Sequence, residues 1–418
     1  MASPDPIRLM EQVHLEIRRH SLMLSLRKDL ERHIINLTSR APANEALNAW
    51  LFTQLARSHA AGLVQPAEQL FVPLVPPGDA LGVGGVSGGA WPLVKYFERA
   101  RSRAGEPPDD SLDHALAEST DLWLRSRWAE CRAQLDGEAA NVPAAIQVHG
   151  GHVGNDGSYR VYLEPRPPRQ RSEHTVNAER FCILRAGYVE CDEQFDTRLF
   201  LLMHRYATLF GPHSTEGRGW QLATPPSAMD LLGSDFGVSA ECFASPLNRR
   251  LERYCSAFED TDAPFGSSGN FFSARRRRKL EEFGSSAECG PPYDDALMAM
   301  AVQELEAELE RRDAANLPGS YVLVVPDWRG PTPAAFWQRA NASKFYSHVL
   351  ELPKESHRYI EGFQHLASSK RRRYVMGETG TLLIWLQNKD GRRAHPITAE
   401  RLQRQRDAWN LGERGYDP

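Results

Sequence analysis

Near residue 290 the chain reads Cys289-Gly290-Pro291-Pro292-Tyr293, followed at once by Asp294-Asp295 and a helical pattern. A polar residue, two prolines and an aromatic at the end of a strand make a rigid turn suited to a planar base that carries an amine. The first side chain and the carbonyl before the second proline each accept one amine hydrogen, which aims the nitrogen lone pair at a methyl donor, while the ring stacks on the base. Here the first position is Gly290, so the turn and the ring of Tyr293 are kept and one acceptor is missing. Water, Glu288 or Asp294 would have to replace it, and Asn in place of Gly290 is expected to raise any such transfer. Taken alone, GPPY also describes a plain Pro-Pro turn.

A second constellation lies upstream, where Glu241-Cys242-Phe243-Ala244-Ser245-Pro246-Leu247-Asn248 ends an apolar run. An acidic residue and a tight turn at the carboxyl end of a strand in an open α/β sheet are where a ligand collects. Asp260, Asp262, Phe265 and Gly266 follow, about one helix later. The bland alternative is that Glu241 only caps the sheet edge.

Two basic runs, Arg275-Arg276-Arg277-Arg278-Lys279 and Lys370-Arg371-Arg372-Arg373, are either solvated faces or a groove that tracks an RNA backbone. Phe271, Phe272, Tyr374 and the Trp328-Arg329 pair of Pro326-Asp327-Trp328-Arg329 lie near them in the sequence. Other candidates carry less. The glycines of residues 82–89 do not have phosphate-loop spacing, and His149-Gly150-Gly151-His152 has no acidic or cysteine partners at ligand spacing. No metal site is expected. None of the 6 cysteines forms a CxxC pair, and they read as reduced thiols.

Elements must position these residues. Apolar residues recur at helical spacing over residues 11–37, 44–61, 112–135 and 197–209, and strand-like segments are scarce before 158, so the first half reads as mainly helical. Beyond residue 230 the pattern changes to strands at 238–244, 321–325, 348–352 and 381–387, with helices at 246–256 and 294–312. Strand and helix in alternation imply a Rossmann-like parallel sheet with covering helices. The expected division is residues 1–195 as a helical domain, 196–405 as the α/β domain and 406–418 as a tail.

The 418 residues, 41% hydrophobic and 25% charged, suit a folded chain of two or three domains and exclude wholesale disorder. With a net charge of −4, nucleic-acid binding would have to come from local patches. No apolar window approaches the length of a membrane span and the first residues lack an apolar leader, so a soluble intracellular protein is expected, with no membrane partner.

Read together, Phe236-Gly237-Val238, ECFASPLN, the YCSAF-x-DTD string from Tyr254 to Asp262, Phe265-Gly266-Ser267, Pro-Pro-Tyr, VVPDWR and LLIWLQN run in an order and spacing that closely resembles the phosphorylated carboxy-terminal-domain interacting factor family. The likeness extends over about residues 199–402. It implies a class I methyltransferase core behind a helical domain, using S-adenosyl-L-methionine to methylate the exocyclic amine of a 2′-O-methyladenosine beside the 7-methylguanosine cap of mRNA. On that resemblance Glu241, Phe243, Ala244, Ser245, Pro246, Asn248, Asp260, Asp262, Phe265 and Gly266 would line the cofactor. Gly290, Pro291, Pro292 and Tyr293 would hold the adenine. Trp328, Arg329, Arg275, Arg276, Lys370, Arg371, Arg372 and Arg373 would meet the cap or RNA, and nuclear localisation is favoured.

Two departures stand out. The family's Phe is Tyr293, a milder change, and its Asn before Pro-Pro is Gly290, which keeps open a second reading: a cap-binding homologue with little turnover. A third is a scaffold for protein interactions. The paired tryptophans of a WW domain are not found at Trp50 and Trp91, so binding to the RNA polymerase II tail by that route is not expected.

Overall fold

The computed structural model describes residues 6–35, 43–64, 71, 74–75, 90–137, 146–153, 155–166, 172–210, 218–273, 283–331, 333–366, 374–377 and 379–410. The chain forms two compact units, one of Met1–Gly217 with Ala263–Phe265, the other of Arg218–Asp262 with Gly266–Pro418. Both basic runs and the glycines of 82–89 fall outside the described residues.

In the first unit, α1 (Pro6–Ile35), α2 (Ala43–Ala60), α3 (Trp91–Ala104) and α4 (Asp110–Gly137) precede an antiparallel meander of β1 (Gln147–Val153), β2 (Ser158–Glu164) and β3 (Glu173–Val176), then α5 (Ala178–Ala186) and α6 (Phe195–Phe210). Val13, Ile17, Leu30 and Ile34 bury one face of α1, which packs on α2, α4 and α6. The buried face also carries charge. Glu16 meets Arg205 of α6 at 2.8 Å and Arg19 at 3.1 Å. β1 holds Gly150-Gly151 and pairs along its whole length with β2, so strand structure begins earlier than the sequence suggests.

The second unit is mixed α/β. Its elements are α7 (Pro226–Phe236), β4 (Ala240–Glu241), β5 (Arg253–Tyr254), α8 (Glu259–Asp262), β6 (Ser286–Cys289), α9 (Asp295–Ala314), β7 (Ser320–Pro326), α10 (Ala335–Ala342), β8 (Tyr346–Leu352), β9 (Arg358–Ile360), β10 (Tyr374–Met376), β11 (Thr381–Gln387), α11 (Lys389–Ala394) and α12 (Ala399–Asn410). Six strands form one sheet in the order β5-β4-β6-β7-β11-β8. β5, β4, β6 and β7 run parallel, and β11 is antiparallel to both β7 and β8, so the sheet is mixed rather than parallel throughout. β7 and β11 are buried at every residue, as their unbroken apolar runs require of central strands.

The helix expected over 246–256 does not form. Glu241 Oε2 accepts from the backbone N–H groups of Arg250 and Leu251 at 2.8 and 2.7 Å, and Asn248 Oδ1 accepts from Ser245 N at 2.7 Å. Side-chain acceptors thus take the amides a helix would have used, and Arg253–Tyr254 goes on to pair with β4.

Candidate active site

β4 and β6 lie side by side, yet the chain leaves β4 for β5 on one side before returning to β6 on the other. That reversal marks the topological switch at the carboxyl ends of the strands, where open α/β sheets bind ligands. A recess there is lined by Glu241 and Phe243 after β4, Glu288, Gly290, Pro291, Pro292 and Tyr293 at and after β6, together with Trp220, Thr224, Met229, Asn248, Val324 and Tyr359.

Register explains its chemistry. Glu241 and Glu288 are direct partners across the parallel strands, so their side chains emerge on the same face. Glu288 is only 4% exposed, and its carboxyl is reached by the Thr224 hydroxyl at 3.4 Å and by the Gly290 N–H. Burial, then the nearby Glu241, pushes the Glu288 carboxyl well above the usual carboxylate range, toward its neutral form.

Tyr293 is fixed by a polarised chain. Its hydroxyl donates to the Tyr359 hydroxyl at 2.7 Å, Tyr359 pairs with the Thr381 hydroxyl, and Thr381 reaches His357 Nε2 at 2.7 Å. The Nδ1 atom of His357 lies 3.0 Å from the Pro353 carbonyl, which assigns it the proton and leaves Nε2 as acceptor. Burial lowers the His357 pKa, in keeping with a neutral ring. Burial raises Tyr359 to about 12 against its hydrogen bonds with Thr381 and Tyr293, so the chain stays protonated.

After Tyr293 the acids belong to the scaffold. Asp294 accepts from Leu297 N at 2.9 Å as the N-cap of α9, and Asp295 accepts from the amides of Ala335 and Phe336. The Pro292 carbonyl accepts from Asp294 N at 2.7 Å, closing the turn.

Of the residues expected from the sequence, the recess brings together Glu241, Phe243, Asn248, Gly290, Pro291, Pro292 and Tyr293. Ala244, Ser245 and Pro246 form the turn beside it without lining it. Asp262 is fully buried and accepts from Phe258 N and Thr261 Oγ1, while Asp260 is half-buried on α8 and Gly266 is exposed. Phe265 belongs to the first unit, against Tyr188 and Phe195. Trp328 stands edge-on to Phe336, and Arg329 bonds Asp327 at 2.7 Å and Glu351 at 2.6 Å with its guanidinium over Trp337. Arg275, Arg276, Lys370, Arg371, Arg372 and Arg373 are among the residues not described. Trp220, Thr224 and Tyr359 were not expected: they come from segments far apart in the sequence, and only strand pairing gathers them. Among the described residues no group of three His, Cys, Asp or Glu could hold a metal ion, and no helix is long and apolar enough to cross a membrane.

Comparison with known proteins places this site in context. Residues 185–362 match the family model described as "Phosphorylated CTD interacting factor 1 WW domain". The tryptophans of that stretch are Trp220, Trp328 and Trp337, and its described residues are helices and the mixed sheet above. Over 225 residues the chain is 36% identical to the human and to the mouse protein named mRNA (2'-O-methyladenosine-N(6)-)-methyltransferase, an overlap of 54% of this chain and 30% of each relative. The chain therefore spans about a third of the length of these relatives. A chain of the DrdV-DNA complex covers 92% of this one and 42% of itself, at 10% identity and a TM-score of 0.25, too low to bear on the fold.

Proposed function

We propose that this chain, whose residues 185–362 match the phosphorylated CTD interacting factor family model, is an S-adenosyl-L-methionine-dependent methyltransferase. Its substrate would be the exocyclic amine of a 2′-O-methyladenosine beside the mRNA cap, the reaction named for its human and mouse relatives. The observation that carries this reading is the Gly290-Pro291-Pro292-Tyr293 turn at the β4/β6 switch, inside the matched stretch and facing the Glu241 turn across one recess. The sheet order supports a Rossmann-like class I core, with five parallel strands and the antiparallel β11 inserted before the edge strand β8.

The donor set suits the cofactor. S-adenosyl-L-methionine is cationic at sulfur and at its amino group, which suits a recess lined by the Glu241 carboxyl. Glu241, Phe243 and Asn248 would hold it, and when bound it supplies an electrophilic methyl group. The protein's own work is alignment. Tyr293 stacks on the adenine with its ring locked through Tyr359, Thr381 and His357, and the Pro291 carbonyl accepts one amine hydrogen. The amine is a neutral nucleophile, so no strong base is needed to generate it. The basic runs at 275–279 and 370–373 would track the RNA backbone; their replacement by Ser should flatten the salt dependence of RNA binding and leave cofactor affinity alone.

The test is incubation with tritiated S-adenosyl-L-methionine and capped RNAs beginning with 2′-O-methyladenosine or guanosine. Label in the adenosine RNA alone is expected. Binding of capped RNA without transfer would reduce the protein to a cap-binding homologue, and neither binding nor transfer would refute the reading. Calorimetry should show S-adenosylhomocysteine binding that weakens in Glu241→Ala and in Asp260→Ala.

A further inference from the structure

We propose that the Glu288 carboxyl is the side-chain group that holds the exocyclic amine of the target base, in the space that Gly290 leaves open. This rests on the methyltransferase reading above and names the residue that completes its amine contacts.

A side chain at position 290 would begin 2.7 Å from Glu288 Oε1, so the carboxyl already occupies the ground where the family's Asn would stand. Gly290 is not among the glycines with positive φ, so close approach rather than backbone freedom explains the glycine. The same carboxyl lines the recess with Pro291, Pro292 and Tyr293. Asp294, the neighbouring alternative, caps α9.

Among the described residues no cation reaches Glu288, and its protein contacts are the long Thr224 bond and the Gly290 N–H. Acceptor capacity therefore remains for a ligand. A neutral carboxyl offers one carbonyl acceptor and one O–H donor side by side, which match the N6–H donor and N1 acceptor of adenine's Watson–Crick edge. Burial and the neighbouring Glu241 favour that neutral form.

The experiment compares wild type with Glu288→Leu, Glu288→Gln, Gly290→Asn and the double variant Glu288→Ala/Gly290→Asn. Each is assayed for methyl transfer to capped RNA beginning with 2′-O-methyladenosine. Each is also assayed for binding to that RNA against the same RNA carrying purine, which lacks the amine, and for S-adenosylhomocysteine affinity and thermal midpoint. Glu288→Leu should lower kcat/KM by about 10- to 100-fold and lose the preference for the amine, with cofactor-analogue affinity and thermal midpoint kept. Glu288→Gln, which keeps a carbonyl and an N–H donor, should recover most of the activity. Gly290→Asn alone should fall by crowding the carboxyl, contrary to the gain expected from sequence, and the double variant should regain transfer. Wild-type activity and amine preference in Glu288→Leu would overturn the assignment and leave the methyltransferase reading standing. A loss that Gln does not rescue, with lowered cofactor affinity and thermal midpoint, would make Glu288 merely structural and also overturn it. A wild type that neither binds nor methylates capped RNA would overturn both.

Discussion

Two buried glutamates, one in each unit, have opposite fates. Glu16 is 1% exposed and lies against the fully buried Arg205, with Arg19 beside it. Burial alone would raise its pKa, but the charge and hydrogen bonds of Arg205, then Arg19 and His204, hold it at about 2. Glu288, buried almost as deeply, has a second carboxyl for a register partner and is pushed the other way. A buried carboxylate answered by a guanidinium builds scaffold, whereas one answered by another carboxyl and an open recess is poised for a ligand.

Breaking the comparison at its scaffold end should cost most. Glu16→Leu strands the Arg205 charge, and thermal or urea unfolding should show about 3 to 5 kcal/mol of destabilisation. Glu288→Gln should leave stability at neutral pH unchanged or higher, because it removes a carboxyl whose ionisation the fold opposes.

The pH dependences should diverge in the same way. The Glu16 pKa is depressed from 4.5 to about 2, so its contribution of about 3 kcal/mol is present above 4.5 and is lost as pH falls toward 2. The Glu288 pKa is raised, so its penalty grows as pH climbs past the ordinary carboxylate value, and any advantage of Glu288→Gln should vanish in acid. Urea midpoints of wild type and the two variants across pH check both signs.

Two smaller changes sharpen the contrast. Tyr293→Phe keeps the stacking ring but removes the donor to Tyr359; a loss of about 1 kcal/mol in stability with methyl transfer largely retained is expected. Arg329→Ala removes a partly exposed ion pair with Asp327 and Glu351, and calorimetric unfolding should register less than about 1 kcal/mol.

The sequence made the central strands readable because β7 and β11 are unbroken apolar runs, and α1, α4 and α9 because their apolar residues recur at helical spacing. It misled where side chains capture backbone amides. Residues 246–256 read as a helix, but Glu241 takes the Arg250 and Leu251 amides and Asn248 that of Ser245, which turns the chain instead. β1 is not legible in the sequence because two glycines and two histidines dilute its strand pattern. At the site, the Pro-Pro-Tyr turn was plain, while Glu288 could be named only as one of several stand-ins. Its importance depends on facing Glu241 across two strands and on lying where a side chain at 290 would begin. Tyr359 and Thr381 lie 66 and 88 residues beyond Tyr293, and only the fold joins them to it.

The most direct measurement is mass spectrometry of the first transcribed nucleotide, released from capped RNA after incubation of the wild-type chain with isotopically labelled S-adenosyl-L-methionine. One labelled methyl on N6 of a 2′-O-methyladenosine in that position is expected, and none when guanosine stands there. A methyl on the ribose, on internal adenosines, or equally on both RNAs would contradict the proposed function.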